Sequence, residues 1–328
     1  MRTIQLEKDN LMDKEISKGS DFKTEKPKKK RVNLRREIIG TAMAAPPFIG
    51  FLCFTLFPML LSLYVSFHSL HSYNVDMAEW VGFENYTRLF GDKKVLEALE
   101  NTLRYCLSVP INLAVSVFLA NLISKNIHGS KFYRVVMFLP QVCSMVAVTM
   151  MWQWIFTDTG VINTMLVNMG LEKIGFMTDP EWFPISLLII SLWKNGTNVV
   201  VLEAAFANTN KTLEEAASLD GANNLQMFWK VKFPQLTPTI FYLLTMLLLG
   251  ALQEQALMQV LAGTIGGGEG AGSKGLTLVY YIYRMTNSYR VTMGMGMSCA
   301  LSWLTAIFIL LVTRLNFWLS KFWVSYDV

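Results

Sequence analysis

The segment EEAASLDGANNLQMFWKVKFPQLTP, residues 214–238, decides the architecture of this chain. It is polar and amphipathic, and it contains prolines near its end. Apolar runs lie on both sides of it, at residues 183–207 and 234–261, and each is long enough to cross the hydrocarbon of a bilayer. A polar segment between two such runs is expected to lie at a membrane surface.

The first half of this segment has the features of a short helix followed by a tight turn. Asn210 or Thr212 can cap a helix over residues 213–219, whose first turn carries acidic side chains. Gly221 then permits the backbone to reverse, because glycine adopts positive φ angles at little steric cost.

The second half has the features of another helix. Residues 223–232 are amphipathic, and Pro234 is expected to end the helix because proline lacks a backbone N–H and clashes with the preceding turn. Residues 212–234 are therefore predicted to form a helix-turn-helix, which we call the finger.

The composition indicates an integral membrane protein. Of the 328 residues, 52% are hydrophobic and only 16% are charged, whereas a soluble domain carries about 25% charged residues. The charges are also unevenly placed, which favours membrane spans over one large soluble core.

Six apolar segments each approach or exceed the ~20 residues that a helix needs to cross a bilayer. A membrane β-barrel would show short alternating segments instead. The predicted fold class is therefore an all-α integral membrane protein of six transmembrane helices, with the finger between the fourth and fifth spans. The membrane domain is expected over residues 38–328. The spans are expected at residues 40–67, 105–124, 135–157, 183–207, 234–261 and 291–313.

Lysine and arginine residues set the predicted orientation. Residues 23–36 hold eight basic residues just before the first span, and residues 125–134 hold three more without an acid. Residues 157–182 hold one lysine and four acids. The positive-inside rule therefore predicts that both termini and the finger lie in the cytoplasm of a multi-pass cell-membrane protein.

The N-terminal tail, residues 1–37, is basic and poor in aromatic residues, so we expect it to be disordered. A basic run can also indicate a nucleic-acid or nuclear-import patch. Its position next to a membrane span disfavours that alternative, and no nucleic-acid partner is expected. The apolar segment after it is too long for a cleavable signal peptide, so it is expected to remain as an anchor.

No constellation of residues indicates catalysis. The four cysteines stand singly in apolar spans, and the three histidines have no carboxylate cluster around them, so we expect neither a metal site nor an enzyme. The glycine-rich run at residues 263–275 lacks the residue order and the preceding strand of a phosphate-binding loop. We expect it to form a flexible turn.

The finger carries a motif at a defined spacing. EAA at residues 215–217 is followed after three residues by Gly221, and nine residues later by VKFP at residues 231–234. This resembles the EAA-x3-G-x9-I-x-L-P signature of permease subunits of binding-protein-dependent ABC importers, where the finger lies between helices 5 and 6 in the family's order. In that family the finger docks into a cleft of the ATP-hydrolysing subunit. The resemblance implies these coupling residues: Glu215, Ala216, Ala217, Asp220, Gly221 and Pro234.

The resemblance extends over residues 40–325 and is greatest to carbohydrate permeases of the maltose, lactose and glycerol-phosphate type. The similar stretches are WVGFENY with LF at 80–90, NT at 101–102, FLP at 138–140, WQWIF at 152–156 with Gly160 and Asn163, and LTLVYYIY at 276–283. The chain departs from the pattern at Glu269, where proline is usual, at Met258, where aspartate is common, and before the finger, where a common proline is missing.

The resemblance implies the function and the partners. The chain would be one permease of a heterodimer that imports a sugar or oligosaccharide across the bacterial cell membrane. Two partner subunits would bind and hydrolyse ATP, so that this chain needs no cofactor, and an extracytoplasmic solute-binding protein would deliver the sugar. The alternatives are a stand-alone secondary transporter, which would show inverted repeats, and a structural membrane subunit without a cavity.

Polar residues inside the spans are the candidates for substrate contact, since buried polar groups in a membrane usually face a cavity or a partner. The run QEQALMQ in the fifth span contributes four residues, and the resemblance places three more near the cavity. These candidates are Gln253, Glu254, Gln255, Gln259, Gln141, Ser144 and Asn195. Interhelical hydrogen bonding without ligand contact is the alternative.

Two charges lie within the fourth span, at Lys194 and Glu203. Nine residues on a helix place them on opposite faces, so they are not expected to pair with each other. Lys194 can pair with Glu254 across the bundle or stand near the pathway, and the sequence leaves both open.

Overall fold

Helices, many of them apolar, form most of the chain that the structure describes. The computed structural model describes residues 34–70, 78–124, 129–263, 265, 267–287 and 290–325. The predicted disorder of the N-terminal tail, and most of its basic run, lie outside these residues. Contacts within the chain divide it into two units, one ending at Met59 and the other beginning at Leu60.

The helices follow one another with short connections. In chain order the described α-helices are α1 Leu34–Phe51, α2 Phe57–Ser66, α3 Glu84–Gly91, α4 Lys93–Cys106, α5 Ser108–Ser124, α6 Ser130–Val142, α7 Met145–Ile155, α8 Val161–Asn168, α9 Phe183–Trp193, α10 Gly196–Ala207, α11 Lys211–Leu219, α12 Asn224–Gln226, α13 Phe233–Leu252, α14 Ala256–Ala262, α15 Leu278–Asn287 and α16 Arg290–Ser320. Single π-helical segments, Leu52–Leu56 and Met227–Lys232, join α1 to α2 and α12 to α13.

Four described helical segments are long and apolar enough to cross a membrane, and up to six if each of two bent helix pairs counts as one span. The bent pairs are α6 with α7, at an angle of 100°, and α9 with α10, at 49°. The four continuous segments are Ala42–Ser66, Lys93–Ser124, Asn224–Leu252 and Gly294–Ser320.

Two described helices differ clearly from the predicted span bounds. The second span was expected to begin at residue 105, but its helix begins at Lys93, where Asp92 accepts a hydrogen bond from Lys94 N at 2.9 Å and caps the first turn. The fifth was expected to be continuous over residues 234–261, but α13 ends at Leu252 and α14 begins only at Ala256.

A small antiparallel hairpin interrupts the all-helical pattern. His68 pairs with Trp80 and Ser69 with Glu79. Asn85 donates hydrogen bonds from Nδ2 to the carbonyl oxygens of Ser66, at 2.8 Å, and His68, at 3.0 Å. The hairpin is too short for the two-residue period of β-strands to show in the sequence.

The unit from Leu60 onward contains two apolar cores. One includes Phe183, Met258 and Tyr281, together with residues of the glycine-rich run, and we call it the loop-side core. The other includes Leu202 and Leu236 and is contacted by residues at the base of the finger, and we call it the finger-side core. The helices α9 and α10 contribute to one core each, so the polar junction between them lies between the cores.

The glycine-rich run was predicted to be a flexible turn, and the structure differs. The described part of residues 263–275 is packed and tied to neighbouring helices. The buried carboxylate of Glu269 lies 2.5 Å from Lys94 Nζ, and Asn101 donates from Nδ2 to the carbonyl of Ser273 at 2.7 Å. These long-range contacts join residues more than 170 positions apart, which the composition of the run does not indicate.

Candidate functional site

Three helix breaks lie at similar positions along the bundle. The first separates α6 from α7 at residues 143–144, the second separates α9 from α10 at residues 194–195, and the third separates α13 from α14 at residues 253–255. A break leaves carbonyl and amide groups without their helical partners. Inside a membrane such groups persist only where other protein groups or a polar cavity satisfy them.

Side chains from other segments of the chain satisfy carbonyls freed at two of these breaks. Gln141 donates from Nε2 to the carbonyl of Lys194, and Thr277 donates from Oγ1 to the carbonyl of Glu254 at 3.0 Å. The Glu254 carboxylate in turn accepts a hydrogen bond at 2.9 Å from Leu257 N, in the first turn of α14. The breaks are therefore stabilised by specific hydrogen bonds within the fold.

A polar cavity of about 350 Å³ is lined by Lys194 and Asn195 of the second break, by Glu254 of the third, and by Gln141, two residues before the first. This volume is in the range of small-molecule sites. The helices that line the cavity contribute residues to the loop-side core on one side of it and to the finger-side core on the other. Its polar lining consists of Tyr105, Ser108, Asn112, Gln141, Ser191, Lys194, Asn195, Thr197, Asn198 and Glu254.

The amides of the lining form a connected network. Asn112 donates from Nδ2 to Ser191 Oγ at 3.0 Å, and Asn195 donates to the carbonyl of Asn112 at 2.7 Å. Asn198 donates to Asn195 Oδ1 at 2.6 Å. Among the described residues, Asn112 Oδ1 is buried and has no hydrogen-bond partner. The network uses its donors internally, so oxygen acceptors remain for the hydroxyl groups of a ligand.

Three of the seven predicted contact residues, Gln141, Asn195 and Glu254, line this cavity. The other four do not. Ser144 and Gln253 are exposed. Gln255 donates to Gln259, and Gln259 donates to the hydroxyl of Tyr283 at 2.8 Å, away from the lining. Gln255 and Gln259 do lie on a common face, as predicted, since their side chains are hydrogen-bonded to each other.

Sequence reasoning missed several lining residues. Asn112 and Ser108 are four residues apart in a charge-free span, and Asn112 donates to the Ser108 carbonyl at 2.9 Å. The i, i+4 spacing of these two polar residues could have indicated a shared helix face. A hydropathy average over the span conceals it, because the neighbouring residues are apolar. Lys194 was noted for its charge, and it lines the cavity together with Glu254, although the two form no ion pair in the described structure.

The finger folds largely as its sequence indicates. Asn210 caps α11 by accepting a hydrogen bond from Thr212 N at 3.0 Å, and Gly221 has a φ of +81° in the turn. Asn223 and Gln226 form a reciprocal capping box at the start of the second helix.

The expectation that Pro234 ends the second helix was wrong. The helical segment continues from Asn224 through Pro234 to Leu252. A π-helical segment, Met227–Lys232, ends two residues before the proline. The shifted hydrogen-bond pattern of a π-bulge accommodates the missing N–H, so the finger passes directly into a membrane-length helix.

The finger presents an exposed surface. Leu219 at the turn is 90% exposed, Leu225 69% and Trp229 55%. Among the predicted coupling residues, Glu215, Ala216, Asp220 and Gly221 are also exposed. Apolar side chains in this cluster, rimmed by polar ones, are typical of a protein-interaction surface.

Ion pairs anchor the base of the finger. Glu214 lies 2.8 Å from Lys232 Nζ and accepts a hydrogen bond from Thr209 at 2.7 Å. Nearby, Arg134 forms an ion pair with Glu203, a contact that the sequence did not reveal. Partial burial raises the pKa of the Glu214 carboxyl, but the hydrogen bonds from Lys232 and Thr209 and the charge of Lys211 outweigh it, so the net pKa lies below its usual value.

Glu214→Gln should loosen the finger at neutral pH. The lowered pKa means that the ionised carboxylate stabilises the folded finger above its usual titration range, and that this contribution is lost as pH falls through the lowered pKa. We expect amide hydrogen exchange in α11 to accelerate several-fold at pH 7. The control is Glu215→Gln, because Glu215 is exposed and forms no ion pair in the described structure. Equal exchange in both variants would contradict a stabilising role for Glu214.

Comparison with known proteins decides the family. The model for the inner membrane component of binding-protein-dependent transport systems matches residues 112–324, which include the finger and all three breaks. The chain belongs to this family. A membrane permease of this kind is a multi-pass inner-membrane protein.

Relatives match this permease along nearly its whole length. It is 34% identical over 304 residues to "Probable ABC transporter permease protein YesP" of Bacillus subtilis (strain 168), covering 92% of this chain and 96% of the relative. It is 28% identical over 298 residues to "Lactose transport system permease protein LacF" of Rhizobium radiobacter, covering 89% of this chain and 97% of that protein.

Solved permease structures share the fold. A chain in the crystal structure of a bacterial alginate ABC transporter, in complex with an alginate pentasaccharide-bound periplasmic protein, superposes with a TM-score of 0.75 at 26% sequence identity. The match covers 86% of this permease and 94% of that chain.

Proposed function

We propose that this permease is the transmembrane subunit of an ABC importer that takes up a sugar or oligosaccharide, powered by ATP hydrolysis on partner subunits. The observation that carries the proposal is the presence, in one permease chain, of a polar cavity at broken spans and an exposed finger. The named substrates of related proteins support the carbohydrate class, since lactose and alginate are both saccharides.

Six membrane crossings are proposed, with each bent helix pair serving as one span. An even number of crossings puts both termini on one side, and the basic residues at 23–36 favour the cytoplasm. The finger then lies in the cytoplasm, where ATP is available.

Cysteine labelling tests this topology. In a variant without the four native cysteines, Ser218→Cys should react only with reagent applied from the cytoplasm, because it lies on the finger. Glu172→Cys, in the connection between α8 and α9, should react only from outside. Both positions are exposed in the structure. Reaction of both cysteines from the same side would show that the chain does not cross the membrane once between residues 172 and 218, and would refute the topology.

The proposed coupling route runs through the finger. Its exposed surface around Glu215 and Leu219 is available to dock against an ATP-binding subunit. The second finger helix continues into α13, which lines the cavity near Gly250. Movement of the docked subunit would therefore reach the cavity through one helix, and the cavity would open alternately to each side.

Substrate contacts are proposed at Gln141, Asn195 and Glu254. Their amide and carboxylate oxygens can accept hydrogen bonds from sugar hydroxyls. A site built this way rejects ligands that leave its polar groups unpaired. Gln253, Gln255, Gln259 and Ser144 stand outside the lining, so we propose that they contact the second permease of a heterodimer or substrate shared with it.

The remaining partners are proposed from the family and from the exposed surfaces. Apolar side chains on the spans, such as Phe118 and Leu310, are exposed and suit lipid or the second permease. An extracytoplasmic solute-binding protein would deliver the sugar. The related alginate transporter crystallises in complex with a periplasmic protein that carries an alginate pentasaccharide.

Purification through a tag on this chain tests the proposed assembly. A second permease and an ATP-binding pair should co-purify in detergent, and their recovery should fall when Leu219 and Trp229 on the finger are both replaced by Asp. The control is Met169→Asp paired with Leu171→Asp, two exposed apolar residues in the connection between α8 and α9, which leaves the finger and the spans unchanged. Recovery of a chain that transports sugar alone would favour a secondary transporter, and a complex without transport would favour a structural subunit.

A further inference from the structure

The cavity contains a cation, Lys194, that forms no direct ion pair with any described carboxylate. Lys194 ends α9 at the second break, and its Nζ lies 3.1 Å from the thioether sulfur of Met145. A thioether is a weak hydrogen-bond acceptor and carries no charge. Among the described residues, no carboxylate forms an ion pair with Lys194.

The one carboxylate of the described cavity lining, that of Glu254, attracts Lys194 electrostatically but is hydrogen-bonded to a backbone amide and not to the ammonium. Glu254 accepts the hydrogen bond from Leu257 N and stands at the N-terminus of α14, where backbone N–H groups favour a negative charge. The remaining polar lining groups are amides and hydroxyls. An ammonium at membrane depth without a hydrogen-bonded counter-ion is costly, and such residues usually serve a pathway.

We infer that Lys194 binds the carboxylate of an acidic saccharide, so that the substrate class is an oligosaccharide containing uronic acid. This inference rests on the proposed function, because it assumes that the saccharide passes through this cavity. The ammonium would hold the carboxylate by a charge-assisted hydrogen bond, which is stronger than a bond between neutral groups.

The cavity also separates the two kinds of sugar group. Glu254 repels a carboxylate but can accept hydrogen bonds from hydroxyls. Asn112 Oδ1, which has no hydrogen-bond partner among the described residues, can accept them too. Lys194 attracts the carboxylate. An acidic sugar is thereby bound in one orientation, whereas a neutral sugar leaves the ammonium unpaired and is disfavoured.

The experiment uses the whole complex, purified with its partner subunits, and compares wild type with Lys194→Met and Lys194→Arg. The probes are radiolabelled oligosaccharides of galacturonic, mannuronic and glucuronic acid, and the same oligosaccharides with each carboxylate reduced to an alcohol. Equilibrium binding to the complex without the solute-binding protein reports on the cavity itself. ATP-dependent uptake with the solute-binding protein reports on transport.

We expect wild type to bind at least one acidic oligosaccharide about tenfold more tightly than its reduced form. Lys194→Met should remove that preference, because the acidic form loses its ionic partner while the reduced form no longer leaves an ammonium unpaired. Lys194→Arg should retain most of the preference, because the charge is kept.

Two kinds of result would overturn the inference while the proposed function stands. One is equal binding and uptake of neutral and acidic sugars by wild type. The other is a Lys194→Met complex that loses both forms equally or fails to assemble, which would assign Lys194 to structure or to a carboxylate of a partner. Absence of ATP-dependent uptake of any saccharide, acidic or neutral, would overturn the proposed function and the inference with it.

Discussion

Gly196→Ala should destroy the cavity and reduce transport by at least tenfold. A Cβ at Gly196 would lie 2.0 Å from the carbonyl oxygen of Met137 and 3.1 Å from the Cα of Phe138. These are backbone atoms of α6, so α10 must move away from α6. Both helices contribute to the cavity beside this contact, through Asn198 and Gln141.

The energetic cost is expected to be substantial, since overpacking a closely packed site costs about 1–3 kcal/mol. The matched control is Gly250→Ala. Gly250 also lines the cavity, but nothing lies within 4 Å of a Cβ built there. Alanine is also the better helix former. The unfolding temperature of the purified complex and its rate of sugar uptake should both fall for Gly196→Ala. Both should stay near the wild-type values for Gly250→Ala. Equal behaviour of the two variants would contradict the close approach of α10 to α6.

Gly221→Val should uncouple ATP hydrolysis from sugar uptake. The φ of +81° at the turn suits glycine, and a β-branched residue there is strongly disfavoured. A Cβ at Gly221 meets nothing within 4 Å, so the effect arises from the backbone angle and not from a clash. The turn should open and displace the exposed surface around Leu219 that we propose docks against the ATP-binding subunit.

The control for this variant is Gly221→Asn, because asparagine tolerates the left-handed region better than other residues with a side chain. We expect uptake to fall at least tenfold in Gly221→Val and to remain at a substantial level in Gly221→Asn, while both chains insert into the membrane. ATPase activity and uptake are measured on the same reconstituted complexes. Full transport by Gly221→Val would exclude the turn from coupling.

The sequence predicted the features that depend on local pattern. The finger follows from Asn210, Gly221 and the capping box at Asn223, each of which acts within a few residues. The apolar segments follow from hydropathy, which needs no knowledge of neighbours. Pro234 was the local exception, because the preceding π-helical turn absorbs the missing N–H.

The helix breaks and the cavity could not be predicted from local sequence patterns. An apolar run has the same hydropathy whether its helix is straight, bent by 100° between α6 and α7, or interrupted after Leu252. The contacts that satisfy the breaks join Gln141 to Lys194 and Glu254 to Thr277, far apart in sequence. Only tertiary structure brings them together. The amides of QEQALMQ were expected to act together, yet the structure places Glu254 in the cavity lining and the three glutamines outside it.

On the proposed function, this chain moves a saccharide only as part of an ATP-driven complex. The most direct measurement is uptake of a labelled oligosaccharide panel into proteoliposomes that contain the complex purified through this chain, with solute-binding protein outside and ATP inside. We expect uptake that requires ATP and the solute-binding protein, and that disappears when this chain is reconstituted alone. Uptake by the isolated chain, or uptake by the complex that is unchanged when ATP is withheld, would contradict the claim.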